Sequence, residues 1–310
     1  MKEKFIRSCL NYTGGKYKLL PQIFPLFPDE FNRFIDLFTG GGVVGVNIAD
    51  KHDLFSLSST KFILNDIEPH VIDLFKLLQR IRYEELIEKI EKVIEEYKLS
   101  DTLSNGYIFY NVDSSKGVGT YNKEKYVRLR SDYNAGLFKF DDRIIVFYIL
   151  LVFGFNNQIR FNSKGEFNLP VGKRDFNSSM RSKLKEFQET LHNHEFIFEN
   201  KDFRELTDIA KNDFIYCDPP YRITTASYNE NGGWSLKDDL ELFDYLDKAD
   251  AVGAKFAVSN VTTHNNNSND ELIHWASKYN LHLLDYHYNN SNYQSNAKKS
   301  STVEVLITNY

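Results

Sequence analysis

Apolar and polar positions along the chain follow two different periods. Short runs rich in β-branched and aromatic residues occur toward both ends, and segments in which apolar residues recur every three or four positions lie between them. The runs that predict strands are 33–38, 61–65, 196–199, 213–217, 255–259, 281–286 and 303–308. The segments that predict helices beside them are 43–51, 71–81, 236–247 and 271–279. Strands that alternate with helices predict an α/β fold whose mostly parallel sheet is covered on both faces.

The last two predicted strands are connected differently. Polar residues 289–301 separate them without any helical period, so these strands are expected to form an antiparallel hairpin at the edge of the sheet.

The middle of the chain has a different pattern. Residues 83–191 are mainly helical in period, interrupted by the polar stretch 100–120 and by a hairpin-like segment at 158–169. This predicts a mainly helical subdomain at 81–189 that carries a β-hairpin. The α/β core is then discontinuous and consists of residues 1–80 and 190–310.

Composition narrows the class of protein. A length of 310 residues accommodates a core domain and a smaller inserted one, and 42% apolar with 26% charged residues is typical of a folded soluble chain. Two cysteines cannot form a disulfide framework, and no paired Cys/His spacing predicts a metal site. The longest apolar stretch, 144–155, is shorter than the roughly 20 residues of a membrane span. The amino terminus also lacks a signal-peptide core, so the sequence predicts a cytoplasmic protein without membrane contact.

Charge is segregated along the sequence. The net charge of −5 by itself disfavours nucleic acid as a partner. Three segments are nevertheless basic, namely 1–20, 116–130 and 156–185, and the last holds seven cations and two acids. Each alone is compatible with a solvated face. Together, and opposed by thirteen acids and six bases in 199–250, they favour a phosphate-contacting surface on one side of the molecule.

A glycine-rich turn follows the first predicted strand. Gly40, Gly42 and Gly45 satisfy the spacing G-x-G-x-x-G, and Asp66 lies 21 residues beyond the last of them. Such a turn brings the backbone close to a nucleotide-like ligand at the carboxyl edge of a parallel sheet, where an acid can accept hydrogen bonds from ribose hydroxyls. The features fit NAD, FAD or S-adenosylmethionine, and a purely structural turn is an alternative.

The residue that ends the first strand distinguishes among these ligands. Asp36 lies next to the glycine turn, where a carboxylate would repel a pyrophosphate. The same carboxylate would attract the ammonium group of a methionine moiety. This favours the sulfonium cofactor.

A second turn, Asp218-Pro219-Pro220-Tyr221, follows the strand at 213–217. Two prolines end a strand and stiffen the backbone that follows it. The Asp218 carboxylate and the Pro219 carbonyl are then two acceptors for an exocyclic aromatic amine, and they stabilise the nitrogen as it becomes nucleophilic. The Tyr221 ring would stack on the base, and an ordinary proline turn is the alternative.

The cysteines argue against one related chemistry. Methylation of cytosine C5 requires a covalent thiolate, which those enzymes place after a proline. Here Ser8 precedes Cys9 and Tyr216 precedes Cys217. If the reaction is methyl transfer, the sequence therefore predicts direct in-line displacement at nitrogen without a covalent intermediate, with Cys217 as a buried strand residue.

Four separated motifs resemble those of the Dam-like (D12 class) N6-adenine DNA methyltransferases, and together they cover most of the chain. They are Asn11-Tyr12-Thr13-Gly14-Gly15-Lys16, Asp36-Leu37-Phe38-Thr39-Gly40-Gly41-Gly42, the hairpin segment 153–172 and Asp218-Pro219-Pro220-Tyr221. The ending at 304–310 also looks typical of the family. The resemblance implies a Rossmann-like methyltransferase sheet with an inserted target-recognition subdomain.

The resemblance also implies the roles of individual residues. Those implied to bind S-adenosylmethionine are Tyr12, Lys16, Asp36, Phe38, Gly40, Gly42, Asp66, Asp202, Phe203 and Asp218. The catalytic residues implied are Asp218, Pro219, Pro220 and Tyr221. A surface cation is an alternative role for Lys16, and a helix cap is an alternative role for Asp202.

The hairpin segment implies contacts with double-stranded DNA. A two-stranded ribbon fits the major groove, and an apolar or aromatic residue at its tip would wedge into the base stack. The residues implied to contact DNA are Asn11, Arg160, Asn162, Lys164, Lys173 and Arg174. The target base must leave the duplex to reach Asp218, and the loop 226–234 is a candidate lid over it, with a surface loop as the alternative. Asn11 replaces the lysine of many GATC-methylating relatives, which argues against a GATC target.

The function predicted from these residues is methyl transfer to adenine N6 in a short duplex DNA sequence, within a restriction–modification system that includes a separate endonuclease. The alternatives are an N4-cytosine or RNA adenine methyltransferase, a nicotinamide-dependent oxidoreductase, and a catalytically silent DNA-binding module. The sequence does not predict an oligomeric state.

Overall fold

A computed structural model describes residues 4–12, 14–52, 60–224, 233–265, 267–285 and 302–310. Within them, one sheet of eight strands has the order β3-β2-β1-β4-β5-β8-β7, and β6 pairs with β5. The strands are β1 (Arg33–Asp36), β2 (Lys61–Asn65), β3 (Phe196–Glu199), β4 (Asp213–Cys217), β5 (Lys255–His264), β6 (Asn267–Ser268), β7 (Asn280–Leu284) and β8 (Thr302–Thr308).

The sheet is mixed, mostly parallel, and antiparallel at one edge. Strands β3, β2, β1, β4 and β5 are parallel, while β8 runs antiparallel to both β5 and β7. The predicted α/β fold and its antiparallel edge are confirmed. The segment 289–301, which was expected to connect the two strands at that edge, lies outside the described residues.

The helices of the described residues cover both faces of this sheet and form most of the middle of the chain. They are α1 (Leu20–Ile23), α2 (Val43–His52), α3 (Pro69–Arg80), α4 (Tyr83–Glu96), α5 (Thr102–Asn105), α6 (Gly119–Asn134), α7 (Phe140–Phe153), α8 (Ser178–Asn193), α9 (Leu236–Ala251) and α10 (Asp270–Ala276). None of them is both long and apolar enough to cross a membrane.

Several element boundaries differ from the prediction, and two of the differences have a clear physical reason. β1 ends at Asp36, before Leu37 and Phe38, because the chain turns there and the Thr39 amide donates to the Asn65 carbonyl, 2.8 Å away. β5 continues to His264 because its polar second half pairs with β8, which the apolar pattern does not reveal.

The hydrophobic core continues from the sheet into the middle segment. Helix α7 is buried on all sides along Ile145–Phe153 and packs against α3, α4 and α6. One apolar cluster contains both sheet residues such as Phe34 and middle-segment residues such as Tyr126 and Phe147. A second cluster joins the other face of the sheet to α9 and α10. The middle segment thus shares its core with one sheet face, and its status as a separate subdomain stays a prediction.

Candidate active site

The topology of the sheet brings the glycine turn and the proline turn together. β1 and β4 are neighbours, and Asp36 lies beside Tyr216 in the register. From β1 the sheet extends toward β2 on one side and toward β4 on the other, so the two strands border a topological switch point. Ligands of open α/β sheets bind in the crevice at such a point, beyond the carboxyl ends of the strands.

The glycine turn after β1 is tightly packed against the amino-terminal motif. Gly40 and Gly42 have φ values of +47° and +71°, a region that favours glycine. A Cβ atom on Gly40 would lie 2.9 Å from Cε1 of Tyr12, and one on Gly41 would lie 2.9 Å from Oγ of Ser8. The turn therefore requires small residues because Tyr12 and Ser8 pack directly against its backbone.

Asp66 fixes the backbone of the glycine turn through hydrogen bonds to its carboxylate. Its carboxylate accepts hydrogen bonds from the amides of Gly40 at 2.7 Å and Glu68 at 2.9 Å. Burial raises the pKa of Asp66 to about 6, and these backbone amides oppose the increase. The described contacts thus give Asp66 a role in fixing the loop, and the ribose contact predicted for it remains untested.

Asn65, which was not predicted as a site residue, connects three segments at the same edge. Its side-chain amide donates to the carbonyls of Leu37 and Lys201, each at 3.0 Å, and its oxygen accepts from the Lys201 amide. Asn65 is buried at the end of an otherwise apolar strand. A polar residue at that position was the signal that could have revealed it.

Asp36 is a buried carboxylate that can accept a further hydrogen bond. Its side chain is almost fully buried, and Oδ1 accepts no hydrogen bond within the described part of the chain. Burial raises the pKa of Asp36 well above its ordinary value, and the negative charge of Asp218 raises it further. Such a group favours a nearby cation or hydrogen-bond donor.

The proline turn is joined to the amino-terminal motif by an ion pair. The Lys16 ammonium lies 2.8 Å from Oδ2 of Asp218 and 5.0 Å from the centroid of the Tyr221 ring. The Tyr221 hydroxyl donates to Oδ1 of Asp218 at 3.0 Å. The lysine side chain is only 6% exposed, so it belongs to the site and is not a surface cation.

Glu304 completes this cluster and was not predicted as a site residue. Its Oε1 accepts from the Tyr221 hydroxyl at 3.2 Å and lies 3.6 Å from the Lys16 ammonium. Burial raises the pKa of Glu304, while the charge of Lys16 opposes that increase. The one sequence signal was an acid at the start of an apolar strand.

An aromatic cluster lies beside the glycine turn. The ring of Phe38 is centred 5.6 Å from that of Phe203 and 5.4 Å from that of Trp234. Asp202 caps the short helical turn at Phe203–Glu205 by accepting from the Arg204 amide at 3.0 Å, and it also pairs with the Arg204 guanidinium. The capping alternative for Asp202 is therefore present, and its contact with the cofactor remains a prediction. Of the candidate lid 226–234, residues 226–232 lie outside the described part.

Both cysteines are buried, and burial raises the pKa of each thiol. Cys217 lies within β4 and is fully enclosed, as predicted. Neither environment stabilises a thiolate nucleophile.

The hairpin segment is short and irregular. Single antiparallel bridges join Gly154 to Val171 and Phe161 to Phe167, and no longer ladder is described between them. Phe167 is buried, and the Phe161 ring stacks on His70 of α3 with a centroid distance of 4.7 Å. The expectation of an apolar or aromatic tip is wrong, because the aromatic residues pack inward and the tip consists of Asn162, Ser163, Lys164 and Gly165.

Two of the predicted DNA-contacting side chains, Asn162 and Asn11, make hydrogen bonds around the hairpin segment and α8. Asn162 shapes the tip by accepting from the amides of Lys164 and Glu166. Asn11 donates to Asn157, just after α7, at 2.8 Å and accepts from Lys183 of α8 at 2.9 Å.

The other cations lie along the hairpin and the chain that follows it. The Arg174 guanidinium donates to the Ser114 carbonyl at 2.8 Å, and that of Arg160 donates to Asn168. Lys164 and Lys173 are exposed.

The chain matches a known family over most of its length. Residues 12–290 match the model described as D12 class N6 adenine-specific DNA methyltransferase. The chain is 37% identical to type II methyltransferase M.FokI of Planomicrobium okeanokoites and 37% identical to modification methylase StsI of Streptococcus sanguinis, in each case over 99% of this chain and 43% of the relative. It is 31% identical to the DNA adenine methylase of Haemophilus influenzae, over 73% of this chain and 68% of that protein.

The chain thus spans less than half the length of the first two relatives. The family match does not support the nicotinamide-dependent oxidoreductase interpretation. Because the match covers the glycine turn, the hairpin segment and the proline turn, the chain belongs to the D12 class N6 adenine-specific DNA methyltransferase family.

Proposed function

We propose that this chain transfers a methyl group from S-adenosylmethionine to N6 of adenine in a short duplex DNA sequence. The observation that carries the proposal is the contact of Asp218 with Lys16 and Tyr221 at the switch point of the sheet, beside a glycine turn. This arrangement offers an acceptor for an aromatic amine next to a crevice that suits a nucleoside cofactor. Family membership supports the same activity.

The residues around the glycine turn fit S-adenosylmethionine, the methyl donor that the family implies. Asp36 is a buried carboxylate with an oxygen that accepts no described hydrogen bond, so it suits the ammonium of the methionine part. The rings of Phe38 and Phe203, beside the glycine turn, offer an apolar surface for an adenine. When bound, the cofactor supplies an electrophilic methyl group on sulfur.

Asp218 would act on the target base directly. Its carboxylate and the Pro219 carbonyl accept the two N–H groups of the amine, and the Tyr221 ring stacks on the base. These acceptors stabilise the positive charge that develops on nitrogen during in-line displacement. The base reaches them only after it has left the duplex, which costs a few kcal/mol that stacking and hydrogen bonds in the pocket offset.

Cations without a described carboxylate partner support binding to duplex DNA. Among the described residues, no carboxylate forms an ion pair with Lys116, Arg160, Lys164 or Lys173. By contrast, Arg204 in the acidic segment 199–250 pairs with three carboxylates. We propose that the segment 81–189 contacts phosphates through these cations, and that binding therefore weakens steeply with salt.

The relatives also suggest a biological context. The chain resembles enzymes named as type II methyltransferases and modification methylases. We propose that it protects DNA against a separate endonuclease that reads the same sequence.

The direct test uses the purified chain, tritiated S-adenosylmethionine and DNA from a host without adenine methylation. We expect label in N6-methyladenine, and we expect Asp218→Ala to lose it. The control is Asp244→Ala, which removes an exposed carboxylate of α9 and should leave transfer unchanged.

Nucleoside analysis of the product separates the alternatives. N4-methylcytosine in DNA, or methylation of RNA in preference to DNA, would contradict the proposal, and so would full activity of Asp218→Ala. Sequencing of the methylated DNA then gives the recognition sequence, for which Asn11 argues against GATC.

A further inference from the structure

A buried glutamate from a distant part of the chain holds the proline turn. Glu304 lies on β8 between Val261 of β5 and Leu284 of β7, and its side chain is only 2% exposed. Because β8 is antiparallel to β5, its beginning reaches the edge at which the parallel strands end. The carboxylate therefore lies beside Lys16 and Tyr221.

Two hydrogen-bond donors are shared between two carboxylates at this point. The Tyr221 hydroxyl lies 3.0 Å from Asp218 and 3.2 Å from Glu304, and the Lys16 ammonium lies 2.8 Å and 3.6 Å from the same two groups. A hydroxyl has one hydrogen and can donate it fully to one acceptor at a time. Both donors are closer to Asp218, and a small rotation of either side chain would favour Glu304 instead.

Glu304 also has an unused acceptor. Its Oε2 is buried and accepts no hydrogen bond from the described residues. A buried carboxylate oxygen without a donor is unfavourable by an amount comparable to a lost charged hydrogen bond. Retaining such a group beside the catalytic turn indicates that another state of the site uses it.

The target amine creates the need for that second state. In the arrangement seen here, Lys16 contacts one oxygen of Asp218 and Tyr221 donates to the other, so the charge of the carboxylate is partly neutralised before the amine arrives. We propose, on the basis of the methyltransferase function proposed above, that Glu304 is a positioning residue that receives the Lys16 ammonium and the Tyr221 hydroxyl when the target amine binds Asp218. Only hydrogen bonds are exchanged, and no proton is transferred between residues.

The exchange would increase the stabilisation of the transition state. With its donors moved to Glu304, Asp218 presents its full negative charge to a nitrogen that becomes positive as the methyl group arrives. Without Glu304, Asp218 is the carboxylate that remains beside Lys16 among the described ion pairs, and the ammonium competes with the amine for it.

The test is Glu304→Gln, which keeps the volume and one oxygen acceptor but removes the charge. Methyl transfer in single-turnover experiments should slow by about tenfold or more, as expected for loss of preorganised charge at the reacting group. Affinities for S-adenosylhomocysteine and for DNA should stay within about twofold of wild type, because the exchange accompanies entry of the target amine, which follows binding of the duplex. The melting temperature of the variant checks that it is folded.

A conservative variant and a control separate charge from packing. Glu304→Asp restores the charge and should recover a large part of the rate. Glu271→Gln alters a carboxylate that pairs with Arg222, just after the proline turn, and should transfer methyl groups like wild type.

Three results would overturn the proposal: an unchanged rate in Glu304→Gln, a Glu304→Asp variant no faster than Glu304→Gln, or equal losses in Glu271→Gln. A wild-type chain that transfers no methyl group to DNA adenine would instead contradict the proposed function itself.

Discussion

Asp66, which binds the glycine turn, makes the free energy of unfolding depend on pH in a predictable direction. Asp66 is almost fully buried, and its pKa is about 6 in the folded protein against an ordinary value of 3.8. The folded state thus binds this proton more tightly than the unfolded state. The resulting stability is fully present below pH 3.8 and is lost as the pH rises through 6.

The magnitude follows from the two pKa values. Each pH unit between them corresponds to about 1.4 kcal/mol, and integration from pH 4.5 to pH 7 gives a loss of about 2 kcal/mol in the free energy of unfolding. Asp66→Asn abolishes the titration. The stability of wild type relative to this variant should therefore fall by about 2 kcal/mol over that pH range.

The assay is urea unfolding followed by circular dichroism at a series of pH values between 4.5 and 7.5. Comparison with Asp66→Asn removes most of the contribution of other buried acids such as Asp36 and Glu304, because both proteins contain them. Asp208→Asn, at a side chain that is 96% exposed, is the control substitution for the loss of a surface carboxylate. A flat or rising difference for Asp66→Asn would refute this explanation of the loop.

Three further outcomes are expected. Gly45→Ala should lower the free energy of unfolding by about 1–3 kcal/mol in urea titrations, because the new Cβ would lie 2.3 Å from Cδ2 of Leu64; an unchanged midpoint would contradict this. Arg222→Ala should lower the free energy of unfolding by about 3 kcal/mol in the same titrations, because it leaves the buried Asp239 carboxylate without its cation. Lys278→Ala removes an exposed cation that pairs with Asp247 and should lower it by under about 1 kcal/mol. Cys217→Ala should retain methyl transfer in the tritium assay, because the buried thiol takes no part in direct transfer to nitrogen. Loss of activity in a folded variant would indicate a thiolate mechanism.

The sheet could be predicted from the sequence because its strands are apolar and bounded by turns. Runs such as 61–65 and 213–217 have the predicted bounds in the structure, since each contains consecutive, mostly buried apolar residues, 62–64 and 214–217. The polar half of β5 was missed, because its pairing with β8 comes from backbone hydrogen bonds and does not require apolar side chains.

The candidate site was predictable where a motif lies on one continuous segment. Asp218 and Lys16 were named from separate motifs, and the structure brings them within 2.8 Å. Asn65 and Glu304 were not, because their importance depends on which strands become neighbours. In the hairpin, the motif was recognised but the role of its aromatic residues was not. They were expected at the tip, whereas Phe161 packs against His70 within the protein.

The order of strands in the sheet also has a consequence for synthesis on the ribosome. Among the described strands, β7 pairs with β8 alone, and β8 is inserted between β7 and β5. A nascent chain that has emerged only as far as β7 therefore has no docking position for that strand in the sheet. The same chain lacks Glu304, so the cluster around Asp218 is completed only when β8 has left the ribosome. A partly synthesised chain of this protein would carry the glycine turn and the proline turn without the glutamate that contacts Lys16 and Tyr221.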